Sequence, residues 1–183
     1  MRALAGLVVL AALLVAPQAA AASPRESLSG LASVSADRVL VADLVAAAKF
    51  GTTSPIDDPV REQTLLDTAA ARSVQMGLDP EVSQRIFRDQ IEANKVVQRG
   101  LFARWTAHPD EAPAVKPDLA TEVRPKLDLI TGRLLEQIRD TRVVRSSPAC
   151  TGRLVAAVVR TDVQRGLDPL HRRALERAVE SVC

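Results

Sequence analysis

The stretch GLDPEVSQRIFRDQIEANKVVQRGLFARWTA (77–107) decides the fold class. Asp79-Pro80 opens it with a capping residue, followed by the residue that best suits the first helical position. Apolar residues then return at helical spacing over the rest of the stretch. The apolar face contains Phe87, Ile91, Val97, Leu101 and Trp105. The pattern predicts one long helix over 80–107, with one face turned towards a core.

The same combination of a capping residue followed by Pro recurs on both sides of this helix. Asp58-Pro59, Ser147-Pro148 and Asp168-Pro169 each place a capping residue before Pro, and Gly77 and Gly166 fall where helices should end. These signals predict helices at 25–50, 59–76, 80–107, 119–145, 148–165 and 169–182.

The segments between these signals favour an all-α fold. No segment alternates with a period of two, and Ala is abundant within the predicted helices. The prolines between His108 and Pro117 predict a linker or a surface loop. Long helices joined by short turns predict a helical bundle of about six helices in a single domain.

The first residues are predicted to be a signal peptide rather than part of the fold. Arg2 precedes an almost wholly apolar run over 3–15, and small residues at 20–22 precede Ser23. This order predicts export with cleavage after Ala22, so that residues 23–183 form the mature, secreted or periplasmic protein. A retained membrane anchor is the alternative, although the apolar run is short for a bilayer.

Composition and cysteine content narrow the function classes. The formal net charge is only +2, and the chain has no Tyr, one Trp and three Phe, which disfavours nucleic-acid binding. Cys150 and Cys183 are predicted to form a disulfide in an exported protein, with two free thiols as the alternative. Without a nearby His pair they make no zinc site. His108 and His171 lie in polar sequence and are predicted to be surface residues.

Two cations interrupt the apolar stripe of the first helix. That stripe contains Leu28, Leu31, Val34, Val41, Leu44, Val45 and Ala48. Arg38 falls inside it, and Lys49 follows Val45 by four residues. Arg38 and Lys49 are eleven residues apart, about three helical turns, so they point from nearly the same face.

Neutral amides interrupt the stripe of the third helix in the same way. Asn94 and Gln98 lie one above the other at i and i+4, and Gln90 extends the row towards the N-terminus. In the second helix, Arg61 lies in the first turn, where the helix dipole disfavours a cation. An anion nearby would account for its position.

Each of these residues also has an ordinary explanation. Arg38 could reach solvent along its apolar stem, Asn94 and Gln98 could bond to each other, and Asp58 could act only as a helix cap. Together, however, they bring cations and amides to one bundle interior. Because unpaired buried charges cost several kcal/mol each, the cluster indicates an anionic ligand.

Two segments resemble the all-helical AroQ class of chorismate mutases: PIDDPVREQ (55–63) and FRDQIEANKVVQ (87–98). The order and spacing of the polar residues agree over the mature chain. The signal segment, the extended C-terminal half and the paired cysteines are similar to the secreted gamma subclass. The resemblance implies conversion of chorismate to prephenate. The residues it implies are Arg38, Lys49, Asp58, Arg61, Glu62, Asn94 and Gln98.

The resemblance also implies a role for each residue. Arg38 binds a carboxylate, Arg61 lines the pocket, and Asn94 takes the place of a Ser or Thr that also bonds a carboxylate. Lys49 reaches a substrate carboxylate and the ether oxygen, and Gln98 is the second donor to the ether oxygen. The acceptor for the substrate hydroxyl is Glu62, with Asp58 nearby.

Secreted members complete the site within one chain, with a last Arg supplied by a later helix. Arg124 is the candidate for this Arg, with Arg133 as the alternative. The resemblance further implies a homodimer, chorismate as the small-molecule partner, and neither cofactor nor metal.

Three other functions remain open from the sequence. An isochorismate pyruvate-lyase shares the scaffold and its cations. A secreted helical protein that binds a dicarboxylate without turnover would use the same cluster. A purely structural protein is disfavoured, because an apolar row in the third helix would pack better than an amide row.

Overall fold

The computed structural model describes residues 27–183, and this part of the chain is helical, without a β-strand. The predicted signal peptide, with its cleavage after Ala22, lies outside the described residues. Seven α-helices follow one another: α1 (Ser29–Lys49), α2 (Pro59–Gln75), α3 (Pro80–Ala107), α4 (Arg124–Asp140), α5 (Arg142–Arg145), α6 (Cys150–Arg165) and α7 (Pro169–Ala178). The predicted all-α bundle is confirmed, with one more short helix than expected.

Three of the predicted helix starts are capped by aspartate. Asp58 accepts a hydrogen bond from the backbone N–H of Arg61 at 3.0 Å, and Asp79 accepts one from Glu81 at 2.8 Å. Asp168 accepts from two backbone N–H groups at the start of α7. Each cap supplies an acceptor for N–H groups that have no partner within the helix. The local sequence therefore fixes where α2, α3 and α7 begin.

The predicted start at Ser147-Pro148 is wrong. The Ser147 hydroxyl donates to the carbonyl of Val144 at 2.8 Å, so it serves the end of the preceding helix and does not cap the next one. α6 begins at Cys150. The last helix is also shorter than predicted and ends at Ala178.

The predicted helix over 119–145 is divided. Leu119–Val123 forms a π-helical turn, α4 begins at Arg124, and Thr141 separates α4 from α5. Pro125 explains the first change, because it has no N–H for the regular helical bond and its ring crowds the preceding turn. At the break between α4 and α5, the Thr141 hydroxyl donates to the carbonyl of Gln137 at 2.5 Å.

Helix α1 lies at the centre of the bundle and packs against α3, α4, α6 and α7. It is therefore buried on more than one face, with Ala32, Ala36 and Ala42 fully enclosed. The single stripe predicted for it is only partly right, because Val41 and Leu44 are half-buried. Small alanines let the neighbouring helices approach closely on every side.

The disulfide between Cys150 and Cys183 is confirmed. The two Cα atoms are 5.8 Å apart, and the bridge joins the start of α6 to the end of the chain after α7. The predicted loop over 108–117 is also confirmed, apart from a short 3₁₀ turn at Pro109–Glu111. No helix within residues 27–183 is long and apolar enough to cross a membrane.

The surface prediction holds for His108 and is wrong for His171. The His171 side chain is buried between α7 and α1. Its Nε2 lies 2.8 Å from Asp43 Oδ1, and its Nδ1 lies 2.9 Å from Asp168 Oδ1. Asp43 comes from α1, so the neighbours of His171 in sequence do not reveal its burial.

Candidate active site

A cavity of about 220 Å³ opens between α1, α2, α3 and α4, beside the loop that joins α1 to α2. All eight residues predicted for the binding site line it, namely Arg38, Lys49, Asp58, Arg61, Glu62, Asn94, Gln98 and Arg124. A cavity of this size suits a small metabolite.

Arg38 is a buried cation whose partners are all neutral. Its side chain is 5% exposed, and its Nη1 donates to the hydroxyl of Thr131 at 3.2 Å. Its Nε has no hydrogen-bond partner, and its guanidinium carbon lies 5.9 Å from the centre of the Phe87 ring. Burial lowers the pKa of Arg38 to about 10, with Asp128 opposing this effect. The group is therefore held in the cavity at an energetic cost.

Lys49 reaches the same cavity from the last turn of α1. Its Nζ donates to the carbonyl of Pro55 at 2.8 Å, which leaves two further N–H donors. Burial lowers the pKa of Lys49, the carboxylates of Asp58 and Glu62 oppose this, and Arg124 adds to it. The position of Lys49 is thus fixed by the loop that closes one side of the cavity.

The start of α2 presents one cation and two carboxylates. Arg61 is exposed at the cavity edge, in the first turn of α2. Asp58 is occupied as the helix cap. Glu62 Oε1 accepts from the Asp58 backbone N–H at 3.2 Å, and Glu62 Oε2 accepts from Lys95 at 2.9 Å. Both carboxylate oxygens of Glu62 are therefore oriented.

Helix α3 contributes the two amides. Gln98 is 3% exposed, and its Nε2 donates to Asn94 Oδ1 at 2.7 Å. Its Oε1 is buried without a partner. A concerted half-turn of both amides keeps their mutual hydrogen bond and moves the Gln98 donor to the unpaired position. The pair can therefore offer a ligand either an acceptor or a donor.

Gln90 does not belong to this row, which corrects the sequence interpretation. Its Nε2 donates to the Ser35 hydroxyl at 3.0 Å and to the carbonyl of Ala178 at 2.8 Å. Residues eight apart are rotated by about 80° around a helix, so Gln90 turns away from Gln98 towards α7. Its role is to join α1, α3 and α7.

Arg124, and not Arg133, lines the cavity. The Arg133 side chain is 60% exposed, and its Nη1 lies 3.5 Å from Asp37 Oδ2 on α1. Arg124 immediately follows the π turn, so the irregular turn sets the direction from which this side chain approaches.

Sequence reasoning missed four polar residues of the wall: Ser54, Lys95, Asp128 and Thr131. Lys95 follows Asn94 directly, and a cation between two predicted site residues in the sequence is a usable signal. Thr131 lies in a sequence without any such signal, because its partner Arg38 is on another helix.

Five basic and three acidic side chains line the cavity. Lys95 is neutralised by carboxylates, and Asp58 is occupied as a cap. The remaining cations are Arg38, Lys49, Arg61 and Arg124. Planar guanidinium groups match carboxylates, so the cavity suits a small molecule that carries more than one carboxylate.

The profile of the family "Chorismate mutase type II" matches residues 31–99, the span from α1 to α3 that carries seven of the eight predicted residues. A relative named "Secreted chorismate mutase" from Mycolicibacterium smegmatis is 37% identical over 164 residues, which cover 90% of each chain. The chain belongs to the chorismate mutase family. A "Secreted chorismate mutase" from Mycobacterium tuberculosis is 34% identical over 167 residues, covering 91% of this chain and 83% of the relative.

Solved structures of chorismate mutases share the fold. The crystal structure from Burkholderia phymatum superposes with a TM-score of 0.82 at 36% identity, covering 87% of this chain and 97% of the other. The structure from Burkholderia thailandensis gives 0.81 at 34% identity, covering 85% and 98%. The chorismate mutase fold therefore extends to the C-terminal helices beyond the profile match. The predicted export is confirmed by the secreted relatives.

Proposed function

We propose that this chain converts chorismate to prephenate within the cavity between α1 and α4. The observation that carries the proposal is Arg38, a cation that is 5% exposed and forms no ion pair among the described residues. A buried cation of this kind is stabilised when an anion occupies the space beside it. Membership of the chorismate mutase family identifies that anion.

The reaction needs little from the protein beyond placement and charge. Chorismate carries two carboxylates, and its rearrangement breaks a C–O bond while it forms a C–C bond within the same molecule. No nucleophile or general base takes part. The protein can accelerate it by holding the compact conformer and by stabilising the negative charge that grows on the ether oxygen.

The carboxylates are assigned to the arginines. Arg38 reaches the cavity from α1, Arg61 from α2 and Arg124 from α4, so the guanidinium groups approach from separate sides. A dianion held in this way has few orientations available. Asn94 adds a neutral donor to one carboxylate.

The ether oxygen is assigned to Lys49 and Gln98. Lys49 keeps two free N–H donors after its bond to Pro55, and the Gln98 amide can turn its donor into the cavity. Preorganised donors of this kind stabilise developing charge without rearranging during the reaction. Glu62, with Asp58 nearby, accepts the hydroxyl of the substrate.

The site is complete within one chain, because Arg124 comes from the same polypeptide as the other cations. A single chain does not test the homodimer, which stays a prediction.

The test is the loss of chorismate absorbance on addition of the purified protein beginning at Ser23, with the Lys49→Ala variant assayed beside it. We expect turnover by the wild type and a loss of about a hundredfold in the variant, the scale of a lost oxyanion donor. Equal turnover by both proteins contradicts the assignment of Lys49.

The same samples separate the two alternatives. Salicylate formed from isochorismate, without conversion of chorismate, identifies a pyruvate-lyase. Binding of chorismate without turnover identifies a dicarboxylate-binding protein.

A further inference from the structure

Lys95 lies in the cavity wall, but its ammonium group already forms ion pairs with carboxylates of the protein. Its side chain is almost fully buried on α3. The ammonium lies 2.9 Å from Glu62 Oε2, 3.0 Å from Glu92 Oε1 and 3.3 Å from Asp57 Oδ1. An ammonium has three N–H donors, so each donor has a carboxylate partner. Lys95 therefore has no free donor for a ligand.

These contacts keep Lys95 charged despite its burial. Burial lowers the pKa of Lys95, but the hydrogen bonds to Glu62, Glu92 and Asp57 together raise it above its ordinary value. The three carboxylates also depend on Lys95, because without the ammonium they would repel one another.

Glu62 gains its orientation from the same contact. One carboxylate oxygen is held by Lys95 and the other by the Asp58 backbone N–H. Each oxygen still has a lone pair, because a carboxylate offers about four acceptor positions. Glu62 can therefore accept a substrate hydroxyl without moving, which is the condition for preorganised binding.

We propose that Lys95 is a positioning residue that holds Glu62 as an oriented acceptor for the hydroxyl of the substrate. The inference rests on the proposed function, since that function supplies the hydroxyl. Lys95 itself does not touch the substrate.

The third contact of Lys95 is with Asp57, on the loop between α1 and α2. Arg99 Nη2 also binds the two oxygens of Asp57, at 2.7 and 2.9 Å. Because Arg99 holds this loop as well, the loop keeps an anchor when Lys95 is replaced. The effect of replacing Lys95 therefore reports on Glu62.

The experiment compares kcat and KM for chorismate in the wild type, Lys95→Met, Lys95→Arg, Glu62→Gln and the double variant Lys95→Met/Glu62→Gln. Met keeps the apolar stem and removes the charge, whereas Arg keeps the charge. Arg104→Met is the matched control, because Arg104 lies on the same helix as Lys95 and its exposed ion pair is with Glu111, outside the cavity.

We expect Lys95→Met to lower kcat/KM by about tenfold or more, mostly through KM, because a displaced Glu62 weakens binding in the ground state and transition state alike. Lys95→Arg should recover most of this loss. With Gln at position 62, adding Lys95→Met should change kcat/KM by less than about twofold.

Equal losses from Lys95→Met with Glu and with Gln at position 62 overturn the proposal, because Lys95 would then act independently of Glu62. Wild-type kinetics in Lys95→Met overturn it as well. If Lys95→Met does not fold, Lys95→Gln, which also removes the charge, carries the same comparison in both backgrounds. A wild type that converts no chorismate rejects the proposed function, and this inference with it. If the wild type converts chorismate, a negative result in the variants rejects the role of Lys95 and leaves the proposed function in place.

Discussion

Arg38 Nη1 on α1 donates to Thr131 Oγ1 on α4 at 3.2 Å, across 93 residues of sequence, and both side chains are buried. Thr131 is the neutral acceptor that orients the most deeply buried cation of the cavity. The C-terminal half of the chain thereby contributes to the site through Thr131 as well as through Arg124.

Thr131→Val tests this relationship because it removes the acceptor while nearly keeping the shape. A hydrogen bond from a charged donor contributes about 1.5–3 kcal/mol, so we expect kcat/KM to fall by about tenfold or more. Steady-state kinetics with chorismate measure the effect. Thr161→Val, a buried threonine of α6 outside the cavity, should keep wild-type kinetics. A similar loss in both variants would indicate a general effect on the fold.

Arg38→Met should separate stability from activity. Burial lowers the pKa of Arg38 to about 10, which corresponds to roughly 3 kcal/mol against the charged form. Met fills the same space without that cost, so the ligand-free Tm should rise by about 6–12 °C, while turnover falls by about a hundredfold. Calorimetry and the chorismate assay give the two values. Arg133→Met, which removes an exposed arginine, should change neither. A lower Tm in Arg38→Met would show that Arg38 stabilises the empty fold.

Gln98 predicts the pH dependence of the reaction. A neutral amide does not titrate, so wild-type activity should persist at about pH 7 to 8, whereas Gln98→Glu should be active only at acidic pH, where the carboxyl is protonated and can donate. The measurement is kcat/KM from about pH 5 to about pH 8. A steep wild-type loss between about pH 6 and about pH 7.5 argues against Gln98 as the donor to the ether oxygen.

The disulfide should stabilise the fold without serving the site. Its 33-residue separation corresponds to about 4 kcal/mol in the loop-entropy model. The Cys150→Ser/Cys183→Ser variant should therefore melt about 8–16 °C below the wild type, as should the reduced wild type. Turnover at room temperature should be unchanged, because the cavity lies among α1 to α4. Loss of turnover in a folded variant would connect the bridge to the site.

Local signals in the sequence were enough for the starts of α2, α3 and α7 and for most of the residues that line the cavity. Asp58 and Asp79 cap helices through contacts two or three residues away, so their neighbours reveal them. Arg38 and Lys49 stood out because each is charged inside an apolar pattern. The contacts with distant partners were not predictable in this way. Thr131 has a role only because α4 packs beside Arg38.

The burial of His171 is a second property that local sequence signals do not predict. Charged neighbours in sequence indicated a surface residue, but α1 covers the ring and supplies Asp43. The spacing of Gln90 predicts a place in the amide row. Residues eight apart are rotated by about 80° around a helix, however, so Gln90 lies towards α7. Both cases depend on which helix lies alongside, which helical spacing alone does not determine.

His171 should make stability fall as the solution becomes alkaline. The hydrogen bond to Asp43 raises the pKa of His171 to about 9, burial opposes this, and Asp168 adds to the increase. Because the pKa is raised by folding, the stabilisation is fully present below the unfolded value of about 6.5 and is lost as the pH rises through about 9. It amounts to at most about 3 kcal/mol.

Urea unfolding of the wild type at about pH 6 and about pH 9.5 measures this loss, and His171→Gln should be less stable at the lower pH and nearly independent of pH over the range. His108→Gln is the matched control, because His108 is exposed and should keep the wild-type dependence. If His171→Gln retains the full alkaline loss, another group carries it. The contact between α1 and α7 would then not depend on a charged imidazole.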